Sequence, residues 1–339
     1  MNGAKKIIRI DVSKIKNWEL IKKKHSEWYE KKILPNIKKA HTLLLSKKTK
    51  DDSIKKYKEL LKKIINKGKN FVIEKELFLG YNHDYLLDLI KNLNRTNISE
   101  NYLPHKLFSY DKFPNHTGEW NRHKLLSLME IEVCPYCQRN YISNFEENDD
   151  KRTTADLDHF YPKSLYPFLA LSLYNFIPSC QICNSRFKGT KDTYNSVYPY
   201  EESFDNLGAK FKISKEIIYE ILGEKDANFF VEIDYKNLKN NDREKVEKSI
   251  KHLGLDKVYK KSHNQYIKDL LDNIEKYPKN YLESCVEIFD EYYKDKNKKE
   301  KIIKYFIDIV KEPCRKRIEN GEPLAKLTKD ILDEFKIKI

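Results

Sequence analysis

Three stretches decide how this chain is read: CPYC at 134–137, ADLDHFYPKS at 155–164 and LYNFIPSCQICNSRFKGTK at 173–191. The first and third each carry a C-x-x-C pair, Cys134/Cys137 and Cys180/Cys183. Two such knuckles place four thiolates where they can surround one tetrahedral Zn²⁺. The 42 residues between the knuckles exceed a simple ribbon spacing, so a folded element is expected between them. Two pairs of buried or redox-active thiols are the alternative, although no βαβ pattern of the kind a redox C-x-x-C needs surrounds them.

Between the knuckles, residues 154–160 alternate as a strand. Asp156 and Asp158 then share one face, and Leu157 and His159 the other. A twist or bulge near the strand end would bring the neighbours Asp158 and His159 to one site. Tyr161-Pro162 stops this strand. Residues 173–177 read as a second short strand containing Asn175, with Pro178 ending it. The second knuckle opens a helix on which Asn184 and Lys188, at i and i+4, project from one face.

Asp-His on a first strand, Asn near a second and Asn on the following helix, flanked by cysteines, resembles the HNH (ββα-metal) nuclease family in its zinc-knuckle form. About 60 residues carry the resemblance. It implies an endonuclease that hydrolyses nucleic-acid phosphodiesters, DNA favoured over RNA. Asp158 and Asn184 would be ligands of a catalytic divalent metal, His159 the general base, and Asn175 the residue that holds the loop and orients the histidine. Cys134, Cys137, Cys180 and Cys183 would hold a structural zinc. The chain has no histidine between 159 and 252, so it departs from the family pattern and is similar to the variants with Asn at the last position. Oxygen donors favour Mg²⁺ or Mn²⁺ as the catalytic ion. Lys188, or Lys163 or Lys191, would hold the phosphate, with Asp156 an accessory ligand or a solvated strand residue. The wording of the motif is also similar to HNH nucleases of prokaryotic anti-phage systems of the Septu and retron-associated type, which implies a protein partner such as a defence-system ATPase.

The rest of the 339 residues reads as mainly helical. The expected class is α+β, mainly α: a helical region over 1–125, the cysteine-bearing module over 126–207, then a short β segment and helices over 208–339. A helix over residues 13–45 should break or kink at Pro35, and others are expected at 52–65, 84–93 and about 118–129. Residues 210–222 and 229–235 suggest a small hairpin. Helices then follow at 242–252, 256–275, 279–294, 298–319 and 323–336, with Cys285 and Cys314 packed inside them.

No apolar run reaches the roughly 18 residues of a membrane span, and no signal-peptide pattern opens the chain, so a cytoplasmic location is expected. The net charge of +14 invites a nucleic-acid partner. Only 9 of the 66 basic residues are Arg, however, and a lysine-rich composition produces such a charge on solvated helix faces without any ligand. A non-catalytic, zinc-dependent nucleic-acid-binding module is the alternative to the enzyme, and an adaptor in a defence complex is a third reading. The other histidines lack ligand spacing and read as surface or satisfied structural residues.

Overall fold

The computed structural model describes residues 9–75, 80, 82–147, 150–214, 230–275, 311–335 and 337. The fold is mostly helical α+β with small antiparallel hairpins. Contacts divide it into two units. One comprises Arg9–Tyr136 and Tyr141–Glu201; the other comprises Cys137–Asn140 and the described residues from 202 onward.

In the first unit, α1 (Trp18–Lys32) buries Trp18, Ile21, His25, Trp28 and Tyr29, an apolar stripe at helical spacing. The break expected near Pro35 is present. The chain turns at Ile33, and α2 (Leu34–Ser46) starts with Pro35 in its first turn, where the missing N–H has no helical partner to lose. Helix α3 (Asp52–Lys67) begins where the Asp51 side chain accepts from the amides of Ser53 and Ile54, and ends at Gly68, whose φ of 57° favours glycine. Helix α4 (His83–Leu93) is capped by Asn82 in the same way. Helix α5 (Arg122–Met129) starts later than the sequence suggests, because Asn121 turns its side-chain oxygen to the Lys124 amide and so sets the N-terminus.

Three two-stranded sheets follow: β1 (Asn144–Glu147) with β2 (Asp150–Thr153), β3 (Ala155–His159) with β4 (Phe176–Cys180), and β5 (Lys210–Ile213) with β6 (Val231–Asp234). The last falls within the small hairpin expected over 210–222 and 229–235, of which residues 215–229 lie outside the described residues. The first escaped the sequence reading because its strands are charged and lack apolar alternation. Between β4 and β5 lies a wide helical turn, α6 (Ile182–Lys188), closed by an i to i+5 bond from the Gly189 amide to the Asn184 carbonyl.

The second unit adds α7 (Asn240–Leu253), α8 (Leu255–Ser262), α9 (Asn264–Glu275) and α10 (Ala325–Glu334). Asp330 and Glu334 of α10 accept from the Phe211 and Ile213 amides, so the edge of β5 is capped by carboxylates. The helices expected over 279–294 and most of 298–319, with Cys285, lie outside the described residues. Cys314 is half-buried. Among the described residues, no helix is long and apolar enough to cross a membrane.

His25 stands at the centre of the first unit's core, fully buried against the rings of Trp28, Phe113 and Phe176. Its Nδ1 accepts from the Trp120 indole N–H at 3.1 Å, so its Nε2 carries the proton and donates to the Leu171 carbonyl at 2.8 Å. Burial pushes its pKa down from 6.5 to about 4. The unfolded chain therefore takes up a proton below about pH 6.5 that the folded chain refuses until about pH 4. Stability contributed by the neutral ring is present above that window and is lost as pH falls through it, by up to about 1.4 kcal/mol per pH unit. Urea unfolding across this range should show a slope for wild type that His25→Gln flattens by about one proton; equal slopes would contradict the buried neutral assignment.

Candidate metal centre and hairpin site

The four cysteines converge. Their Sγ atoms all lie within 4.8 Å of one another, all are buried, and none is joined in a disulfide. A tetrahedral Zn²⁺ with Zn–S bonds of about 2.3 Å needs thiolates about 3.8 Å apart, so the cluster fits a zinc ion after a slight contraction. Chain geometry explains the convergence. The turn after Val133 delivers Cys134 and Cys137, while β4 ends on Cys180 and the first turn of α6 carries Cys183. Among the described residues this is the group of three or more His, Cys, Asp or Glu side chains placed to share an ion.

The β3–β4 hairpin adjoins the cluster: Ala155 lies opposite Cys180, and His159 opposite Phe176. Its second strand differs from the sequence reading. Leu173–Asn175 form a tight 3-10 turn, and the strand starts at Phe176 and passes through Pro178 to Cys180. Proline fits because a two-stranded ladder leaves each strand an outer edge that requires no amide donor. The register is unbroken, so no bulge brings Asp158 and His159 to one side.

On the face of the two aspartates, α6 supplies partners in two rungs. Asn184 donates its amide to Asp156 Oδ2 at 2.9 Å, and both residues are half-exposed. Lys188 Nζ meets Asp158 Oδ1 at 3.0 Å and the His159 carbonyl at 2.6 Å, with its side chain 2% exposed. The other Asp158 oxygen accepts from the Tyr136 hydroxyl at 2.6 Å. Burial raises the Asp158 pKa, opposed by Lys188 and by the Tyr136 bond. Tyr136 belongs to the first knuckle, and the sequence reading passed over it; the CPYC spacing draws attention to the cysteines and gives no sign of where the phenol points.

His159 occupies the other face. Its ring is wedged between Tyr110, 4.4 Å away and edge-on, and Phe176, at 5.4 Å. Nε2 lies 2.9 Å from the Ala170 carbonyl, an acceptor only, so this nitrogen carries the proton and Nδ1 holds the lone pair. Burial drives the pKa down to about 3, with Lys163, Lys188 and Arg122 adding to the shift, so the ring is neutral at neutral pH.

Asn175 is fully buried and pins the intervening loop at both ends. Its Oδ1 accepts from the Tyr161 amide at 2.7 Å, and its Nδ2 donates to the Tyr161 and Leu169 carbonyls at 3.0 Å. Three consecutive carbonyls, of Leu169, Ala170 and Leu171, are thus held by the side chains of Asn175, His159 and His25. The histidine is oriented by a loop that is itself tied to the protein core.

The sequence-derived ligand pair therefore meets different partners. Asp158 and Asn184 sit on neighbouring rungs, each engaged with another side chain. With both Asp158 oxygens taken, one by an ammonium, a divalent cation there would have to displace Lys188; the arrangement does not fit Mg²⁺ or Mn²⁺. Lys188 is placed as a buried ion-pair partner, whereas a phosphate-holding lysine needs a solvent-facing ammonium. Lys163 is exposed and lies over the Tyr110 ring at 5.1 Å, and Lys191 donates to the Phe187 carbonyl.

Two tests follow from these contacts. Structural zinc supplies on the order of 10 kcal/mol of folding free energy in small sites, so Cys180→Ser should release the ion and unfold the hairpin, read by metal analysis and circular dichroism. Removing one member of a buried ion pair costs about 3–5 kcal/mol, whereas replacing both with apolar groups is close to neutral. Asp158→Leu alone should therefore destabilise more in urea than Asp158→Leu with Lys188→Met; the reverse order would show that the pair is not the contact that matters.

No family model matches the chain, and no solved structure does. Two curated proteins are similar over part of their length. Septu protein PtuB of Bacillus thuringiensis is 34% identical over 70 residues, which is 20% of this chain and 24% of that protein. Protein ea31 of Escherichia phage lambda is 30% identical over 73 residues, 20% of this chain and 21% of that one. The chain spans less than a quarter of the length of these relatives; the four-cysteine cluster supports a metal-binding protein, and the likeness adds a partial similarity to a Septu component.

Proposed function

We propose that the β3–β4 hairpin with α6 is an HNH-type hydrolytic site for nucleic-acid phosphodiesters, built on a structural zinc, with His159 as the proton acceptor. The observation that carries the reading is the histidine itself. A buried imidazole is locked in one tautomer by the Ala170 carbonyl, with the loop behind it clamped by Asn175. The Nδ1 lone pair is then the basic atom, and neutrality keeps it available at neutral pH. A ring with a pKa near 3 is a weak base in isolation. A phosphodiester anion beside it favours the imidazolium and moves that value toward the range in which general bases act efficiently. Attack by water on phosphorus would pass a proton to Nδ1 while the P–O bond to the leaving oxygen breaks, and that oxygen would take a proton from solvent to leave as an alcohol. No step is assigned to a divalent ion, because the Asp158 and Asn184 contacts do not fit one. The partial likeness to Septu protein PtuB extends the proposal to a place in a Septu-like defence system, alongside a partner protein.

A second reading is favoured by a specific contact. Asp158, to which the family resemblance assigns a metal, is paired with Lys188 and bonded by the Tyr136 hydroxyl, as expected of a zinc-organised module that binds nucleic acid or a protein without cutting. Incubation with plasmid, single-stranded DNA and total RNA, with Mg²⁺, Mn²⁺ or EDTA, separates the two. The hydrolase cleaves at least one substrate, and His159→Ala lowers the rate by about 10²–10⁴-fold with zinc and fold retained. Bound but intact nucleic acid under every condition would leave the binding module.

A further inference from the structure

Two cations near His159 take no part in the contacts that build the hairpin. The Arg122 guanidinium carbon lies 3.6 Å from the Tyr110 ring centroid, and Lys163 Nζ lies 5.1 Å from the same centroid. That ring is the one packed edge-on against His159. We propose that Arg122 and Lys163 form an anion site that holds a phosphodiester beside His159; the identity of the anion rests on the hydrolase reading.

The charge pattern supports a ligand supplied from outside. Among the described residues, neither cation has a carboxylate within ion-pair distance, while the buried Lys188 and Lys326 and the half-buried Lys245 each do. Arg122 is half-buried, and a partly desolvated charge without a counter-ion is costly. Its orientation is set by bonds from Nη1 to Asn115 Oδ1 at 2.5 Å and from Nη2 to the Tyr110 carbonyl at 2.7 Å, while its Nε is buried without a partner. A phosphate oxygen in this place would gain charge-assisted bonds and remove the unpaired charge. Lys163 is exposed and free to swing onto the same anion. It lies four residues beyond His159, which ends β3, so an exposed cation stands over the ring that packs on that histidine.

The bland account is that Arg122 only ties the Tyr110 loop to α5, and that Lys163 is ordinary surface. Salt dependence distinguishes the two, since each phosphate contact contributes about 0.7–0.9 to the slope of log K against log salt. The measurement is fluorescence anisotropy of a labelled oligonucleotide, as single-stranded DNA, duplex DNA and RNA, with the full-length zinc-bound His159→Ala chain as the parent. Arg122→Gln and Lys163→Gln should each lower the slope by about one contact and weaken binding at low salt. Lys39→Gln, an exposed lysine on α2, should leave the slope at the parental value. Equal slopes for parent and Lys163→Gln, or an equal loss for Lys39→Gln, would overturn the anion site. Should Arg122→Gln lose zinc, Lys163→Gln alone decides. A lowered slope in a protein whose wild type cuts nothing would keep the anion site and remove the hydrolase; unchanged slopes in a protein that does cut would do the opposite.

Discussion

The convergence of four cysteine sulfurs within 4.8 Å is the constraint on which the rest of the site depends. Cys180 ends one strand of the hairpin and Cys183 opens the wide turn of α6, so an ion held there fixes the angle between strand and helix. Cys134 brings the first knuckle to the same point and carries Tyr136 with it. The strand pair has only five residues a side and no third strand. Two-stranded ribbons are marginal in water without a further anchor, and a buried tetrathiolate supplies one.

Within that frame the hairpin uses its two faces differently. One face is a ladder of polar pairs to α6, Asp156 with Asn184 and Asp158 with Lys188, sealed by the Tyr136 hydroxyl. The other presents His159 to an aromatic layer and to a loop whose carbonyls are held in series. The first arrangement reads as structure: buried, neutralised and fully bonded. The second has a lone-pair nitrogen and two neighbouring cations that lack a carboxylate partner among the described residues, the arrangement on which the proposed proton transfer rests. A ring kept neutral by burial is a good scaffold residue and, next to an anion, a usable base; the two roles differ in what stands beside it.

Much of this was legible in the residues. The cysteine spacing predicts the cluster and the alternation over 154–160 predicts β3 and its faces. Pro35 and Gly68 marked helix boundaries through backbone rules that act locally. The failures share a cause as well. Tyr136 meets Asp158 across 22 residues, and His25 meets Leu171 across 146. Spacing within a motif cannot show such contacts, because they depend on how separate elements pack. Lys188 reads in sequence as a cation available to a phosphate since lysine is nearly always solvent-facing, and only the buried Asp158 beside it accounts for its burial. Strand β4 lies three residues beyond its expected place because Pro178 reads as a terminator in sequence, a rule that relaxes on an edge strand.

The hairpin site depends on the metal frame, which X-ray absorption at the zinc edge tests directly. Protein purified without chelator should hold one zinc per chain with four sulfur neighbours at about 2.3 Å and no nitrogen or oxygen in the first shell. A spectrum with mixed oxygen or nitrogen ligands, or protein without stoichiometric zinc, would contradict it.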